Sequence, residues 1–212
     1  MAESPRISIA IPLYNEEQVV AELLQRTTAV LDELPGGPHE IVCVDDGSSD
    51  STFELLSAAA RDDARITAIS LSRNFGQQAA YCAALKHISG EVVVMMDGDL
   101  QDPPEAISEL LAKHNEGYDV VYAQRASREE PWYLRLCYFL FYRIMAMLAQ
   151  IRMPLDTGDF ALLSRRVVDA MKSAPERQRY LRGLRTWVGF KQIGIPIQRP
   201  ARAAGTSKYT PV

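Results

Sequence analysis

The sequence predicts an α/β domain in which helices cover both faces of a mostly parallel sheet. Its 212 residues are about one domain's worth, at roughly 100–200 residues per domain. Apolar residues make up 47% and charged residues 24%, which excludes a disordered, collagen-like or disulfide-rich chain. Over residues 1–125, short apolar runs alternate with helical patterns, and this alternation is typical of parallel strands joined by helices.

The elements of this alternation can be assigned in chain order. Strands are predicted at Ile7–Leu13, Ile41–Val44, Ile66–Leu71, Val92–Met96 and Val120–Ala123. Asn15, followed by Gln18, predicts a capped helix that runs to about Leu34. Ser51 and Glu54 predict a capping box for the next helix. Further helices are predicted at Gly76–Ile88 and from Pro103-Pro104 to about Asn115.

The pattern changes after residue 125. We interpret residues 1–125 as an α/β core and residues 126–212 as a C-terminal extension of the same domain. The elements predicted in the extension are a loop and strand at Leu155–Leu163, helices at Arg165–Met171 and Arg177–Leu184, and a strand at Phe190–Ile197 in which Pro196 marks a sheet edge.

The stretch Trp132–Ile151 has a helical pattern, many aromatic residues and no acidic residue. On a helix, Arg135, Arg143 and Gln150 fall within about 80° of arc. A narrow cationic stripe on an otherwise apolar surface is typical of an amphipathic helix that lies in a membrane interface. The alternative is a core helix whose arginines point to solvent or pair with acidic residues.

Charge and cysteine content exclude further classes of protein. The chain has 23 basic and 27 acidic residues and a net charge of −4, so we expect no nucleic-acid partner. It contains no run of about 18 uncharged apolar residues, so no membrane-spanning helix is predicted. Its 3 cysteines are widely spaced, which fits a reducing cytoplasm and gives no metal-ligand pattern. Acidic residues dominate the first 120 residues, and arginines dominate the last 90.

Polar residues collect where the predicted strands end. Ligands of open parallel sheets bind beyond the carboxyl ends of the strands, so these positions are candidates for a binding site. The segments concerned are Tyr14–Glu16, Asp45–Ser48, Ser72–Asn74 and Asp97–Asp102.

Within this set, Asp97 and Asp99 say most about the kind of ligand that would bind. Two carboxylates so close in sequence repel each other unless a cation lies between them. Mg²⁺ or Mn²⁺ favours such oxygen ligands together with substrate phosphates, and Gln101 can add a neutral oxygen. The chain has neither a GxxxxGK[ST] nor a GxGxxG motif. The pattern therefore predicts a diphosphate held by a metal ion and arginines, and the alternative is a solvated loop.

Six segments together resemble a known family. They are Ile11–Glu17, Val44–Asp50, Arg73–Gly76, Asp97–Glu105, Gly158–Phe160 and Gly205–Tyr209. In these segments the chain resembles the family 2 glycosyltransferases, which have the Rossmann-like GT-A fold. Within that family it is similar to the polyprenyl-phosphate glycosyltransferases, which include undecaprenyl-phosphate glucosyltransferases and dolichol-phosphate mannose synthases. Each segment alone is weak evidence for the family. Their occurrence together, in the order of the family and along nearly the whole chain, is highly specific.

The resemblance implies a role for each candidate site residue. The nucleotide-sugar pocket is expected to contain Pro12, Tyr14, Glu16, Asp45, Asp46 and Asp97. The expected ligands of a divalent metal, Mg²⁺ or Mn²⁺, are Asp97, Asp99 and Gln101. The residues expected near the reacting centre are Asp99, Asp159 and Asp156. The expected contacts of the acceptor phosphate are Arg125, Arg202 and Lys208.

The resemblance implies that residues 1–125 form a nucleotide-sugar-binding core and that residues 126–212 form an acceptor-side and membrane-interface extension of the same domain. It also implies the reaction. We expect inverting transfer of a hexose from a sugar nucleotide to polyprenyl (undecaprenyl) phosphate, with the chain peripheral on the cytoplasmic face of the cell membrane. UDP-glucose is the favoured donor because Glu176–Phe190 resembles the undecaprenyl-phosphate branch, and GDP-mannose is the alternative. Two other readings stay open: a catalytically weak member that binds a lipid head or partner membrane protein, and a soluble enzyme that glycosylates a polysaccharide or protein. A homo-oligomer is a further candidate assembly.

Two features depart from the pattern of the family. Ala161 stands where the family often has an arginine after Gly-Asp-Phe. Either one anion contact is missing, or another arginine such as Arg165 replaces it. Many relatives also continue past Ser207-Lys208-Tyr209 into transmembrane helices, so the expected alternatives are a shortened chain or one that uses only the Trp132–Ile151 helix at the membrane.

Overall fold

The computed structural model describes residues 7–125, 157–175 and 180–198. The strands in these ranges are β1 (Ile7–Leu13), β2 (Glu40–Asp45), β3 (Ile66–Ser70), β4 (Val92–Met95), β5 (Val120–Arg125), β6 (Thr157–Ser164) and β7 (Gln192–Ile197). The helices are α1 (Val20–Glu33), α2 (Thr52–Asp62), α3 (Gln77–His87), α4 (Ile107–Asn115), α5 (Arg165–Ser173) and α6 (Leu181–Trp187), and a 3₁₀ turn at Pro104–Ala106 precedes α4.

The described strands form one seven-stranded sheet in the order β3-β2-β1-β4-β6-β5-β7. Strand β1 pairs in parallel with β2 and β4, and β5 pairs in parallel with β7. Strand β6 runs antiparallel between β4 and β5. The sheet is therefore mostly parallel, as predicted, with one reversed strand that the sequence did not distinguish.

Helices pack on both faces of this sheet, which confirms the predicted architecture. All seven residues of β1 are buried because its alternate side chains enter different cores. On one face, Ile9 packs in a cluster that includes Leu23 of α1 and Leu110 of α4. On the other face, Ala10 belongs to a cluster with Tyr81 of α3. Burying one large aliphatic side chain contributes about 1.5–3 kcal/mol, so these two layers dominate the stability of the domain.

Within the described ranges, the predicted strands and helices lie where the sequence placed them, with ends that differ by a few residues. Strand β7 is at one edge of the sheet, as Pro196 indicated. The C-terminal strands β6 and β7 pair with β4 and β5, so residues on both sides of position 125 build the same sheet.

Both predicted helix caps were wrong. Helix α1 begins after Val19 without a side-chain cap, and Asn15 instead adopts a φ of 53° and accepts a hydrogen bond from the Ser49 amide at 2.8 Å. Helix α2 likewise has no side-chain cap from Ser51. The first turn of α2 is held by the Asp50 carboxylate, which accepts the Thr52 amide at 3.0 Å. Asn15 therefore stabilises the contact between the loops after β1 and β2, and Asp50 takes the place of the predicted cap of α2.

Several predictions lie outside the described residues. They concern the Trp132–Ile151 helix, Asp156, Arg202 and Lys208. The backbone of Arg125 ends β5, and its side chain is also outside the description. Within residues 7–125, 157–175 and 180–198, no helix has the length and apolar character needed to cross a membrane.

Candidate functional site

The candidate site lies at the edge of the sheet where β1, β2 and β4 end. The register pairs Leu13 with Asp45 and Ala10 with Met95. Continued by two residues, the second register brings Asp97 beside Pro12. The ends of three neighbouring strands therefore deliver their polar residues to one place, as the sequence predicted.

Gly98 fixes the position of the loop after β4. A Cβ atom at residue 98 would lie 2.9 Å from the Pro12 carbonyl oxygen and 2.9 Å from Leu13 Cγ. Because Cβ atoms essentially never approach other heavy atoms so closely, only glycine lets this loop pack on the end of β1. The packing holds the flanking residues, Asp97 and Asp99, against the carboxyl end of β1.

Helix α3 holds the carboxylate of Asp97. Its Oδ1 atom accepts hydrogen bonds from Gln77 Nε2 at 2.5 Å and from Tyr81 Oη at 2.8 Å. The two donors are four residues apart and so lie on one face of the helix. The Asp97 amide donates to Asp102 Oδ2 at 3.0 Å, which closes the loop on itself. Gln77 and Tyr81 were not predicted as site residues, although their i, i+4 spacing on a predicted helix places both on one face.

The electrostatics of Tyr81 show that negative charge is concentrated at this edge. Burial raises the pKa of the fully buried Tyr81 hydroxyl well above its ordinary value, and nearby carboxylates add to the shift. Those carboxylates are Asp97, Asp159 and Asp102. Tyr81 therefore stays protonated at neutral pH and acts as a hydrogen-bond donor to Asp97.

Asp99 and Gln101 are held by a local turn. Asp99 is only 8% exposed, and its Oδ1 atom accepts the Gln101 amide at 3.1 Å. Leu100 between them adopts a φ of 60° and is buried, so the turn anchors one apolar side chain in the core. The turn therefore places the Asp99 carboxylate and the Gln101 amide just beyond β4, next to Asp97.

Asp159 joins the site from the reversed strand. The β4–β6 register pairs Met95 with Ala161, and continued by two residues it brings Asp159 beside Asp97. Asp159 is 7% exposed and forms an ion pair with Arg182 of α6. The distances are 3.3 Å from Arg182 Nε to Oδ1 and 3.2 Å from the terminal guanidinium nitrogen Nη2 to Oδ2. Both oxygens of Asp159 therefore face one guanidinium group.

A second arginine of α6 lies beneath the first. Arg185 is 2% exposed, and its guanidinium lies 5.1 Å from the centre of the Tyr122 ring. Burial lowers the pKa of Arg185 to about 10, so the side chain remains charged at neutral pH. The sequence offered a signal for its burial, because Leu181, Leu184, residue 185 and Val188 follow the i, i+3, i+4, i+7 pattern of an apolar helix face.

Asp45 and Asp46, which were predicted in the nucleotide pocket, are both buried and bonded to the protein. Asp46 accepts the amides of Phe75 and Gly76 at 2.8 and 2.9 Å, one on each carboxylate oxygen. Asp45 accepts the Ser48 amide at 3.3 Å and the Ser70 hydroxyl at 3.2 Å. In this structure the two carboxylates tie the loops after β2 and β3 together.

We expect Asp46→Asn to destabilise the domain by about 2 kcal/mol, since an unsatisfied buried group costs about 1–3 kcal/mol. One side-chain oxygen would become an amide nitrogen that faces the backbone N–H of Phe75 or Gly76. Urea unfolding would measure the loss. The control is Asp62→Asn at an exposed position of α2, and equal stability of the two variants would contradict the assigned contact.

The remaining predicted pocket residues surround this edge. Pro12 is buried within β1, and Tyr14 and Glu16 are half-buried just beyond it. The Glu16 amide donates to Thr52 Oγ1 at 2.8 Å, which fixes the loop against α2. Pro12, Tyr14, Glu16 and the four aspartates at residues 45, 46, 97 and 99 thus share one edge of the sheet.

Arg165 does not reach this edge. Its Nε atom donates to the Gly90 carbonyl at 2.8 Å, and its amide donates to the Glu91 carbonyl at 2.8 Å. Both partners precede β4, so Arg165 lies at the opposite end of that strand from Asp97. The suggestion that Arg165 replaces an arginine at position 161 was therefore wrong. Ala161 itself is buried and pairs with Met95 and Tyr122.

The donor set at the end of β4 suits a hard divalent cation. Within the described parts of the chain, no group of three or more His, Cys, Asp and Glu residues could hold a metal ion unaided. Two carboxylates and an amide, Asp97, Asp99 and Gln101, nevertheless supply the oxygen ligands that Mg²⁺ and Mn²⁺ prefer. Because Mg²⁺ is usually bound by one or two carboxylates plus substrate phosphates, these residues fit such an ion.

Comparison with known proteins gives relatives along almost the whole chain. The chain is 42% identical over 210 residues to "Uncharacterized glycosyltransferase YkcC" of Bacillus subtilis (strain 168), covering 99% of the chain and 65% of that protein. It is 39% identical over 210 residues to "Undecaprenyl-phosphate 4-deoxy-4-formamido-L-arabinose transferase" of Enterobacter sp. (strain 638), covering 97% of the chain and 63% of that protein. The chain thus spans less than two thirds of the length of these curated relatives.

The chain also matches a solved structure and the model of a protein family. The mannosyltransferase PcManGT from Pyrobaculum calidifontis, solved with GDP-Man and Mn²⁺, is 21% identical with a TM-score of 0.65, covering 92% of this chain and 56% of that one. At that identity the likeness establishes the fold, which is GT-A. The model of "Glycosyl transferase family 2" matches residues 8–171, well over half of the chain. The chain therefore belongs to glycosyl transferase family 2.

Proposed function

We propose that the chain transfers a hexose from a sugar nucleotide to a polyprenyl phosphate, with inversion at the anomeric carbon. The observation that carries this proposal is the meeting of Asp97 with Asp159 and its arginine at one edge of the sheet, where Asp99 follows in the same loop as Asp97. Carboxylates can hold a metal on the donor, and guanidinium groups can bind an anionic acceptor. The name of the Enterobacter relative, which states an undecaprenyl-phosphate transferase, supports the choice of acceptor.

Asp97, Asp99 and Gln101 would hold a divalent metal, Mg²⁺ or Mn²⁺, on the diphosphate of the donor. When bound, such an ion neutralises charge that develops on the leaving nucleoside diphosphate. The Tyr81 and Gln77 hydrogen bonds to Asp97 Oδ1 orient that carboxylate before any ligand arrives. Pro12, Tyr14, Glu16, Asp45 and Asp46 would form or support the nucleotide pocket.

The acceptor phosphate needs no dedicated base. A phosphate monoester is largely ionised at neutral pH, since its second pKa is about 6. Its oxygen forms the new bond to the anomeric carbon, while the bond from that carbon to the donor diphosphate breaks and its electron pair leaves with the nucleotide. No proton has to move, so catalysis rests on positioning and charge. Asp159, held by Arg182, suits orientation better than proton abstraction.

The remaining roles are proposals about residues whose side chains the structure does not describe. Asp156 would lie near the reacting centre, and Arg125, Arg202 and Lys208 would contact the acceptor phosphate. The chain would work as a peripheral protein on the cytoplasmic face of the cell membrane, where its lipid acceptor is found, and the Trp132–Ile151 helix would contact the membrane surface. A second copy or a membrane protein would be its candidate protein partner.

The proposal is tested with a panel of labelled sugar nucleotides. The protein is incubated with each donor, polyprenyl phosphate and Mn²⁺ or Mg²⁺, and the label is then partitioned between chloroform and water. We expect chloroform-extractable label from UDP-glucose, and extraction from GDP-mannose would identify the alternative donor.

The other outcomes contradict the proposal. Label that is transferred but stays in water-soluble product would indicate a polysaccharide or protein acceptor. Absence of transfer from every donor, with lipid binding retained, would indicate the catalytically weak member.

A further inference from the structure

Arg185 is a buried cation that the proposed mechanism does not yet use. It is 2% exposed, and its Nε atom has no hydrogen-bond partner. Among residues 7–125, 157–175 and 180–198, no carboxylate forms an ion pair with it. Burying a charge without a paired anion is costly, and proteins normally pair such a group or use it. Arg185 is therefore a candidate to bind an anion that these described residues do not supply.

The position of Arg185 links it to the candidate site. Its guanidinium lies over Tyr122, and Tyr122 pairs with Ala161 in the β5–β6 ladder. Ala161 lies two residues after Asp159 on β6, so the two side chains share one face of that strand. Arg182, about one turn earlier in α6, forms the ion pair with Asp159. Both guanidinium groups of α6 therefore approach the same part of β6.

Helix α6 is held firmly in this position. Leu181 and Leu184 are buried in the same core cluster as Ala161 and Tyr81. The Leu181 amide donates to Gln78 Oε1 of α3 at 2.9 Å, which fastens the start of α6 to the helix that holds Asp97. These contacts fix the positions of Arg182 and Arg185 relative to the carboxylates at the end of β4.

Arg182 and Arg185 share the carboxylate of Asp159. Both oxygens of Asp159 already face Arg182, and Asp159 is the carboxylate whose charge acts on Arg185. Arg185 therefore has no carboxylate of its own among the described residues. A phosphate monoester carries about −1.5 to −2 charges at neutral pH and accepts hydrogen bonds from the planar guanidinium fork. The unpaired Nε–H of Arg185 and the guanidinium fork of Arg182 offer hydrogen-bond donors that match such a group.

We propose that Arg182 and Arg185 form the subsite for the phosphate monoester of the acceptor, with Asp159 as the positioning residue that aims Arg182. This inference rests on the proposed function and names two residues of its acceptor site. It also accounts for Ala161, because α6 supplies cations on the face of β6 where the expected arginine is absent. The donor diphosphate is placed at Asp97 and Asp99, so the reacting groups have separate sources of positive charge.

The test is Arg185→Gln, assayed by release of nucleoside diphosphate with farnesyl phosphate as acceptor. We expect the KM for farnesyl phosphate to rise at least about tenfold, because a hydrogen bond to a charged group contributes about 1.5–3 kcal/mol. The dissociation constant of the nucleoside diphosphate, measured by calorimetry with Mn²⁺, should change less than about twofold, on the scale where 1.4 kcal/mol is tenfold. Arg185→Lys should recover part of the loss because it keeps the charge.

Two further variants complete the experiment. Arg61→Gln removes a charge from the exposed end of α2 and serves as the matched control. Arg182→Gln, at a side chain that is 34% exposed, carries the test if Arg185→Gln does not fold. Both α6 variants should raise the KM for farnesyl phosphate, whereas the control should leave it unchanged.

The outcomes separate this inference from the function on which it rests. If farnesyl phosphate fails to stimulate the wild-type protein with any donor, the acceptor named in the proposed function is wrong. If the wild-type protein is stimulated but both α6 variants keep its KM for farnesyl phosphate, the subsite is wrong and the function stands. A weaker affinity for nucleoside diphosphate in place of a raised acceptor KM would overturn the inference, because the arginines would then serve the donor.

Discussion

Asp99→Asn is expected to lower kcat/KM by at least about a hundredfold, since losing one preorganised charge contact typically costs about 10²–10³ in rate. The variant removes a negative charge from the proposed metal site. The fold should survive, because the asparagine oxygen can still accept the Gln101 amide that Asp99 Oδ1 accepts at 3.1 Å. Initial rates over a range of Mn²⁺ and Mg²⁺ concentrations would measure the effect.

A matched control makes this result specific. Asp62→Asn removes the same charge from an exposed position of α2 and should keep wild-type kinetics. Thermal unfolding of both variants should stay close to that of the wild type, which would exclude a loss of structure. Near-normal turnover by Asp99→Asn would show that the metal assignment is wrong.

Gly47→Ala is expected to destabilise the domain by about 3 kcal/mol, from a left-handed backbone cost of about 1–2 kcal/mol and an overpacking cost of about 1–3 kcal/mol. Residue 47 has a φ of 70°. A Cβ atom there would lie 2.5 Å from the Arg73 carbonyl carbon, which is a backbone atom that cannot rotate away. Urea unfolding would measure the lost stability.

Gly117→Ala is the matched control for this backbone argument. Gly117 also has a positive φ, of 92°, but a Cβ atom there would meet no atom within 4 Å. It should therefore lose only the conformational part, about 1 kcal/mol. Equal losses in the two variants would show that the approach of the residue 47 backbone to Arg73 does not constrain the fold.

The sheet and its functional edge could be predicted because the strands are buried on both faces. A strand such as β1 then appears in the sequence as an unbroken apolar run, and its end is marked by the first polar residues. The Asp97–Asp99 pair could be recognised for the same reason, since it follows β4 directly.

Contacts between distant segments could not be predicted in this way. Asn15 has the composition of a helix cap, but the approach of the loop after β2 gave its side chain a stronger partner in the Ser49 amide. Asp46 likewise satisfies two backbone amides that are 29 and 30 residues further along the chain. Local preference is a weak guide wherever tertiary hydrogen bonds compete for the same side chain.

Arg182 and Arg185 illustrate a different difficulty. Arginines are numerous after residue 120, and their number alone does not distinguish a solvated side chain from a buried one. Burial depends on how α6 packs against β6, and only the apolar spacing around residue 185 carried that information.

The reversed direction of β6 has a consequence for how this enzyme family can diversify. Gln124 near the end of β5 pairs with Thr157 at the start of β6, so the chain leaves and re-enters the sheet at neighbouring points. Both points lie at the edge that carries Asp97 and Asp159. Exchanging residues 126–156 between relatives is therefore expected to keep the described strand pairings, because loop-closure free energy changes only slowly with length. Under the proposed function, such an exchange would alter the acceptor side and leave the donor-side residues Asp97 and Asp99 in place.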